Sequence, residues 1–374
     1  MNLFDDNTFF QYQLPEPQYL GAKHTLLSWI NQYIPSKVRT AIDAFSGTQS
    51  VSFLLKQLGK KVYSNDFMRF NHHIGLALIE NKTTQLTPTD IAFLLQPSND
   101  PHFQLIKKLY TNLFFEIQEA TFLDSYRANV ELLDNPYKKS LALAIMNRAM
   151  QRKITMGHFG HTQALVYAQN AERVKRNRNL ARPIKDIFCE LVPQYNQAVF
   201  DNGQENRSFC SNTLDILPNI LEQDNIDFVY FDPPYCDSHA DYQSFYHLTE
   251  TYTEYWHEKS FVNSIKRYEP QRFSGFDKKR HIINSLHQLF SIAKTIPVWL
   301  ISYNNRSYPS ISEFVTIIKQ YKDVQIVTKT YQNGRGGKGS VAGSDEVLFV
   351  CNNKTIVSFN SQNHNYKLEK NTHY

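Results

Sequence analysis

Cysteine is scarce in this chain and widely scattered: Cys189, Cys210, Cys236 and Cys351 form no CxxC pair. That spacing speaks against a disulfide framework and a thiolate zinc site, and it fits a reducing, intracellular setting. Long apolar runs are also missing. No stretch approaches the roughly 18 residues that a membrane-crossing helix needs. The N-terminus, MNLFDDNTFFQYQLPEP, places acids where a secretory leader would carry basic residues and an apolar core. A cytoplasmic protein without a membrane partner is expected. A dominant charge is lacking too: 40 Lys+Arg against 35 Asp+Glu leave a formal +5. This permits an anionic partner but falls short of the strongly basic balance of a chromatin or ribosomal protein. No internal repeat is present, and low complexity is confined to one Gly-rich stretch, residues 333–339.

What the chain has in quantity is core-forming material, with 41% hydrophobic and 14% aromatic residues over 374 positions. Single cores stop growing at roughly 250–300 residues, so one core carrying an inserted module is expected. Residues 19–34 carry apolar side chains at helical spacing and stop at Pro35. Residues 39–45 read as a buried strand, SGTQ as a turn, SVSFLLKQL as a helix closed by Gly59, and residues 60–66 as a second strand. Strand, tight turn, helix and strand make a βαβ unit with a right-handed crossover. From about residue 71 to 205 the pattern is helical throughout, including one long helical run over residues 106–133. Strand patterns return at residues 207–212, 226–232, 298–303, 323–331 and 345–351. The last two are joined by a connection too short for a crossover helix, so they should form an antiparallel hairpin at the sheet edge. The expected fold is α/β, a largely parallel sheet with an antiparallel edge hairpin. Residues 1–70 and 205–352 would form one discontinuous domain, residues 71–204 a mainly helical insertion, and residues 353–374 a polar tail.

Three motifs carry chemistry. Asp232-Pro233-Pro234-Tyr235 directly follows an apolar run that reads as a central strand, and in open α/β sheets ligands sit beyond the carboxyl ends of strands. Two prolines leave no backbone N–H, so the loop offers acceptors only, the Asp232 carboxylate and the nearby carbonyls. Such a loop suits an amino group, and Tyr235 offers a face on which a heteroaromatic base could stack for roughly 1–3 kcal/mol. The second motif, residues 44–50 (AFSGTQS), is a strand-to-helix turn whose N–H groups favour an anionic or polar cofactor group. Asp66, at the end of the next strand, is placed to accept bonds from ribose hydroxyls. The third is Tyr19-Leu20-Gly21-Ala22-Lys23. Lys23 could meet a carboxylate or phosphate there, or could equally be an ordinary solvated lysine.

In this order, YLGAK, then FSGTQSV with NDF, then a long insertion, then FDPPY, the chain resembles the Dam-like adenine-specific DNA methyltransferases over roughly residues 19–70 and 205–350. The resemblance implies a Rossmann-like methyltransferase that uses S-adenosylmethionine and acts on the exocyclic N6 amine of adenine in duplex DNA, as part of a restriction-modification system with a cognate endonuclease. By matching position, Phe45, Ser46, Gly47 and Thr48 would surround the methionine part of the cofactor. Tyr19, Gly21 and Lys23 would complete that side, and Asp66 would hold the ribose. Asp232, Pro233, Pro234 and Tyr235 would grip the flipped adenine, whose extrusion costs a few kcal/mol. Two positions depart from the pattern: Gln49 replaces a glycine of the turn, with room for its side chain to point outward. Asn212 stands where an acid near the cofactor adenine is usual, with Asp215 as an alternative.

The insertion is where the resemblance places DNA recognition. Lys153, Arg173, Lys175, Arg176, Arg178 and Arg182 offer charge to phosphates, with His158, Phe159 and Tyr167 interspersed. A solvated basic helix fits the same run equally well. His158 and His161 lack further ligands, so no metal is assigned. Asn304 and Arg306 after a strand, and Arg335 and Lys338 in the Gly-rich loop, are further candidates for DNA contact. The aromatic segment 241–256 is open between a lid over the base and core packing. A monomer is expected. Methylation of RNA, or DNA binding without transfer, are the competing readings.

Overall fold

The computed structural model describes residues 11–154, 157–235, 241–256, 258–269, 274–330 and 345–354. In chain order, the first half runs α1 (Leu27–Asn31), β1 (Thr40–Asp43), α2 (Ser50–Gln57), β2 (Lys61–Asp66), α3 (Arg69–Gly75), α4 (Pro88–Leu94), α5 (Leu105–Tyr110), α6 (Ile117–Glu131), α7 (Pro136–Arg152), α8 (Ala164–Ala168), α9 (Ala171–Arg176) and α10 (Ile184–Ala198). It continues with β3 (Arg207–Cys210), α11 (Thr213–Gln223), β4 (Phe228–Phe231), α12 (Tyr242–Phe245), α13 (His247–Glu254), β5 (Phe261–Val262), β6 (Arg267–Tyr268), α14 (Lys279–Ala293), β7 (Val298–Asn304), α15 (Ile311–Ile318), β8 (Asp323–Thr330) and β9 (Asp345–Asn352).

Seven strands form one sheet in the order β3-β2-β1-β4-β7-β9-β8. The first five in that order pair in parallel, and β9 runs antiparallel to both β7 and β8, the edge hairpin expected from the short connection. This is a Rossmann-like α/β sheet, and its strand order reverses between β1 and β4. A crevice therefore opens beyond their carboxyl ends. Because β9 is antiparallel, its first residues lie at that same end.

The sheet is covered on both faces, as a largely parallel sheet must be. Along β4, Phe228 and Tyr230 enter one apolar cluster while Val229 and Phe231 enter the other, following the two-residue alternation of a strand. The helices between β2 and β3 supply Tyr126, Leu141, Ile145 and Phe188 to the first cluster, so the insertion and one face of the sheet share apolar packing. Burial of each such side chain contributes about 1.5–3 kcal/mol. Among the described residues no helix is long and apolar enough to cross a membrane.

Three expectations are corrected. Residues 19–34 are not one helix: Gly21 is left-handed at φ 77°, and only a 3-10 turn at His24–Leu26 and the five-residue α1 follow. The helical run over residues 106–133 is broken into α5 and α6, because Thr111 is extended and Asn112 takes φ 59°. The two-stranded hairpin β5–β6 was not expected as strand. The polar tail beyond residue 354 lies outside the described residues.

Candidate active site

A cleft opens at the carboxyl ends of β1, β2 and β4, and all three sequence motifs line it. One wall is the segment before α1. Tyr19 stacks on Tyr246, with ring centroids 4.4 Å apart, and on Tyr242 at 5.5 Å. Gly21 turns the chain there, and a Cβ on it would stand 3.3 Å from the Tyr242 hydroxyl. Segment 241–256 is thus mainly core packing, since Leu248 and Tyr252 are fully buried, while Tyr242 and Gln243 reach the cleft.

The floor is the β1–α2 turn. Ser46 donates through both N–H and Oγ to the Asn65 carbonyl, at 2.9 and 3.0 Å, which ties the turn to β2. The Gly47 N–H donates to Asp66 Oδ2 at 2.8 Å, and Asp66 Oδ1 accepts from the Met68 N–H and from Asn71. Burial raises the Asp66 pKa against the pull of these hydrogen bonds. Gln49 takes the left-handed conformation, φ 66°, which explains why glycine suits this position. Its side chain does not point outward. It is fully buried and donates to Ser46 Oγ at 2.8 Å and to the Asn71 carbonyl, so it braces the turn. Phe45 meets Phe276 edge to face at 5.1 Å. Asn212 lines the far side and caps α11, its Oδ1 accepting from the Leu214 N–H at 3.1 Å. One lone pair of that oxygen remains for a ligand.

The opposite wall is Asp232-Pro233-Pro234-Tyr235, immediately after β4. Lys23 meets it directly. Its ammonium lies 2.8 Å from Asp232 Oδ2 and 3.4 Å from Glu346, and it donates to the Gly21 carbonyl at 2.9 Å. Lys23 is neither solvated nor confined to the cofactor side. Burial opposes its charge, but the Asp232 and Glu346 carboxylates outweigh burial and raise its pKa. The Tyr235 hydroxyl lies 3.0 Å from Asp232 Oδ1 and 2.9 Å from Glu346 Oε1. Burial, reinforced by the Asp232 charge, pushes the Tyr235 phenol well above its ordinary pKa, so it stays a neutral donor.

Sequence reasoning missed two carboxylates here. Asp43 ends β1 beneath the cleft and accepts from the Ser52 N–H and Oγ at 2.9 and 2.7 Å, while its Oδ1 is buried without a partner among the described residues. Burial raises it to about 7, with Ser52 pulling down and the charges of Asp232 and Asp66 adding to the rise. An acid directly before the AFSGT turn was the available signal. Glu346, on β9, carried none.

The candidate DNA residues are not gathered in the cleft. Lys153 is committed within the protein, paired with Glu119 at 2.7 Å and donating to the Arg182 carbonyl. Arg182 in turn pairs with Glu190. Arg173, Arg176 and Arg178 are exposed on and just after α9, with Arg173 stacked over Tyr167 at 3.7 Å. Asn304 accepts from the Arg306 N–H at the end of β7, where Arg306 is exposed. Arg335 and Lys338 lie outside the described residues. Among the described residues no cluster of side chains could hold a metal.

A proline-stiffened acceptor loop facing a glycine turn across the switch point of a Rossmann-like sheet defines an amine-directed group-transfer enzyme. The chain belongs to the D12 class N6 adenine-specific DNA methyltransferase family, which it matches over residues 19–317. It is 32% identical to the Type II methyltransferase M2.HphI of Haemophilus parahaemolyticus, over 91% of this chain and 98% of that one. It is 24% identical to the modification methylase LlaI of Lactococcus lactis subsp. lactis, over 88% of this chain and 53% of the relative. It is 21% identical to the Type II methyltransferase M.FokI of Planomicrobium okeanokoites, over 95% of this chain and 55% of the relative. The chain thus spans about half of each of the latter two.

Proposed function

We propose that the chain transfers a methyl group from S-adenosylmethionine to the N6 amine of an adenine flipped out of duplex DNA, as the modification arm of a restriction system. The observation that carries this reading is one cleft holding both the Asp232 acceptor loop and the Gly47 turn. The residues fit such a cofactor. The space beside Gly47 is a cradle in which an added Cβ would stand 3.6 Å from the Tyr19 ring, and Asp43 Oδ1, without a partner among the described residues, lies beneath it. Phe45, Ser46, Gly47, Thr48 and Tyr19 would hold its methionine part, Asp66 the ribose and Asn212 the adenine. The cofactor supplies an electrophilic methyl on a sulfonium sulfur.

The protein's part is orientation and charge. Asp232 and the Pro233 carbonyl accept the two N–H bonds of the amine, which aims the nitrogen lone pair at the cofactor side of the cleft. Pro233 and Pro234 fix that geometry and add no competing donor. Lys23 holds the Asp232 carboxylate in place through their ion pair, and Tyr235 closes the pocket against the base. The exposed arginines around α9 would carry the duplex, with Arg306 and the loop bearing Arg335 and Lys338 as further contacts. A cognate endonuclease would be the functional partner of such a modification enzyme. A monomer suffices, since each strand can be modified separately.

The test is transfer of labelled methyl from S-adenosylmethionine to unmethylated duplex DNA, read by site-resolved sequencing. Asp232→Ala should abolish N6-methyladenine while cofactor binding by calorimetry persists. Unchanged methylation by that variant would remove Asp232 from the chemistry, and preferential labelling of structured RNA would overturn the substrate.

A further inference from the structure

The hydrogen-bond arithmetic around Asp232 does not close without Glu346. Lys23 has three N–H bonds, and three acceptors surround its ammonium: the Gly21 carbonyl, Asp232 Oδ2 and Glu346 Oε1. Tyr235 has a single O–H, yet Asp232 Oδ1 at 3.0 Å and Glu346 Oε1 at 2.9 Å both wait for it. One proton cannot serve both acceptors fully. Whenever it points to Asp232, the lone pair of Oδ1 on that side is closed to a substrate N–H. When it points to Glu346, that lone pair is open.

We infer that Glu346 is a positioning residue for methyl transfer: from β9 it draws the Tyr235 hydroxyl to itself, which leaves Asp232 Oδ1 free to accept the target amine while Lys23 stays on Oδ2 and holds the carboxylate in place. This rests on the function proposed above and adds a residue to it. The fold explains how a side chain 114 positions beyond Asp232 can do this. β9 runs antiparallel to β7, with Glu346 in register with Asn304, so the start of β9 meets the carboxyl end of the parallel strands. Glu346 is only 9% exposed, which makes its contacts with Lys23 and Tyr235 strong and costly to leave unmade.

The experiment is steady-state methylation of duplex DNA by the full chain carrying Glu346→Ala, Glu346→Gln, Tyr235→Phe, or Tyr235→Phe with Glu346→Ala. Glu346→Ala should lower kcat roughly tenfold to a hundredfold, the scale of a small misplacement of a reacting group. KM for the cofactor should change by less than about twofold, because the loss falls on the chemical step and not on ground-state binding. Glu346→Gln keeps the shape without the charge and should also lose roughly tenfold, so it carries the test should the alanine variant fail to fold. If Glu346 acts through the phenol, adding Glu346→Ala to Tyr235→Phe should change kcat by less than about threefold, since contacting residues in one network are non-additive. A purely structural role would instead give multiplying losses or a matching rise in KM. Wild-type kcat in Glu346→Gln, or independent losses in the double variant, would overturn the inference while leaving the enzyme a methyltransferase. A wild-type chain that labels no DNA would overturn the functional reading, and this inference with it.

Discussion

At the scale of single residues the cleft is defined by buried carboxylates with unequal company. Asp232 has an ammonium and a phenol, Asp66 has backbone N–H groups and the Asn71 amide, and among the described residues Asp43 has only Ser52. That inequality has a thermodynamic consequence. The folded-state pKa of Asp43, about 7, lies above its value of about 4 in an unfolded chain, so folding favours the neutral acid. Between those values the unfolded state releases its proton first, and stability falls as pH rises; below pH 4 and above pH 7 this contribution is flat. A three-unit shift corresponds to about 4 kcal/mol. Asp43→Asn removes the titration, so urea melts of the cofactor-free protein should show a shallower decline from pH 5 to pH 8 than wild type. Parallel pH profiles for the two proteins would show that Asp43 is not held neutral. Asp43→Asn should also weaken binding of the proposed donor, cationic S-adenosylmethionine, above pH 7, a loss that calorimetry would read.

At the scale of elements, the cleft depends on how closely α3 lies against β3 and the β1–α2 turn. A Cβ built on Gly75 would stand 2.1 Å from Ser208 Oγ and 3.1 Å from Gln49 Nε2. Ser208 is held by Ser64 at 3.1 Å and by His72 at 3.3 Å, so its hydroxyl cannot rotate away without breaking one of them. Gly75→Ala should therefore cost about 1–3 kcal/mol by overpacking, measured in urea. It should also raise KM for the cofactor, because the displaced Gln49 braces the turn. Adding Ser208→Ala should recover part of the stability, and a Gly75→Ala protein as stable as wild type would contradict the packing described. These close approaches are what an unaligned sequence hides. The strands were legible because their apolar runs are bounded by turn residues, and DPPY was legible because it follows one of them. The break at Gly21 was not, since apolar spacing over residues 19–34 is helical whatever the backbone does. Asn112 ends α5 for the same reason, a left-handed residue inside a helical pattern. Asp43 read as part of a strand, and Glu346 is beside Asp232 only through the pairing of β4 with β7 and β7 with β9.

At the scale of the whole molecule the question is which positive charges meet the duplex, since a formal +5 does not distinguish a binding face from a solvated one. Geometry separates the candidates. Lys153 is largely buried against Glu119, whereas Arg173, Arg176 and Arg178 stand exposed around α9. Each phosphate neutralised releases counterions, so the logarithm of affinity falls with the logarithm of salt by about 0.9 per contact on duplex DNA. Fluorescence anisotropy with a labelled duplex, repeated across salt concentrations, therefore counts contacts without knowledge of the recognised sequence. Arg176→Ala with Arg178→Ala should reduce the magnitude of the slope by about 2, with little change in cofactor affinity. Lys153→Ala should leave the slope at its wild-type value and lower thermal stability instead, because its charge is spent on Glu119 and the Arg182 carbonyl. An unchanged slope in the arginine double variant would assign the run after α9 to solvent and move the duplex to the β7 end of the sheet, where Arg306 would become the residue to test.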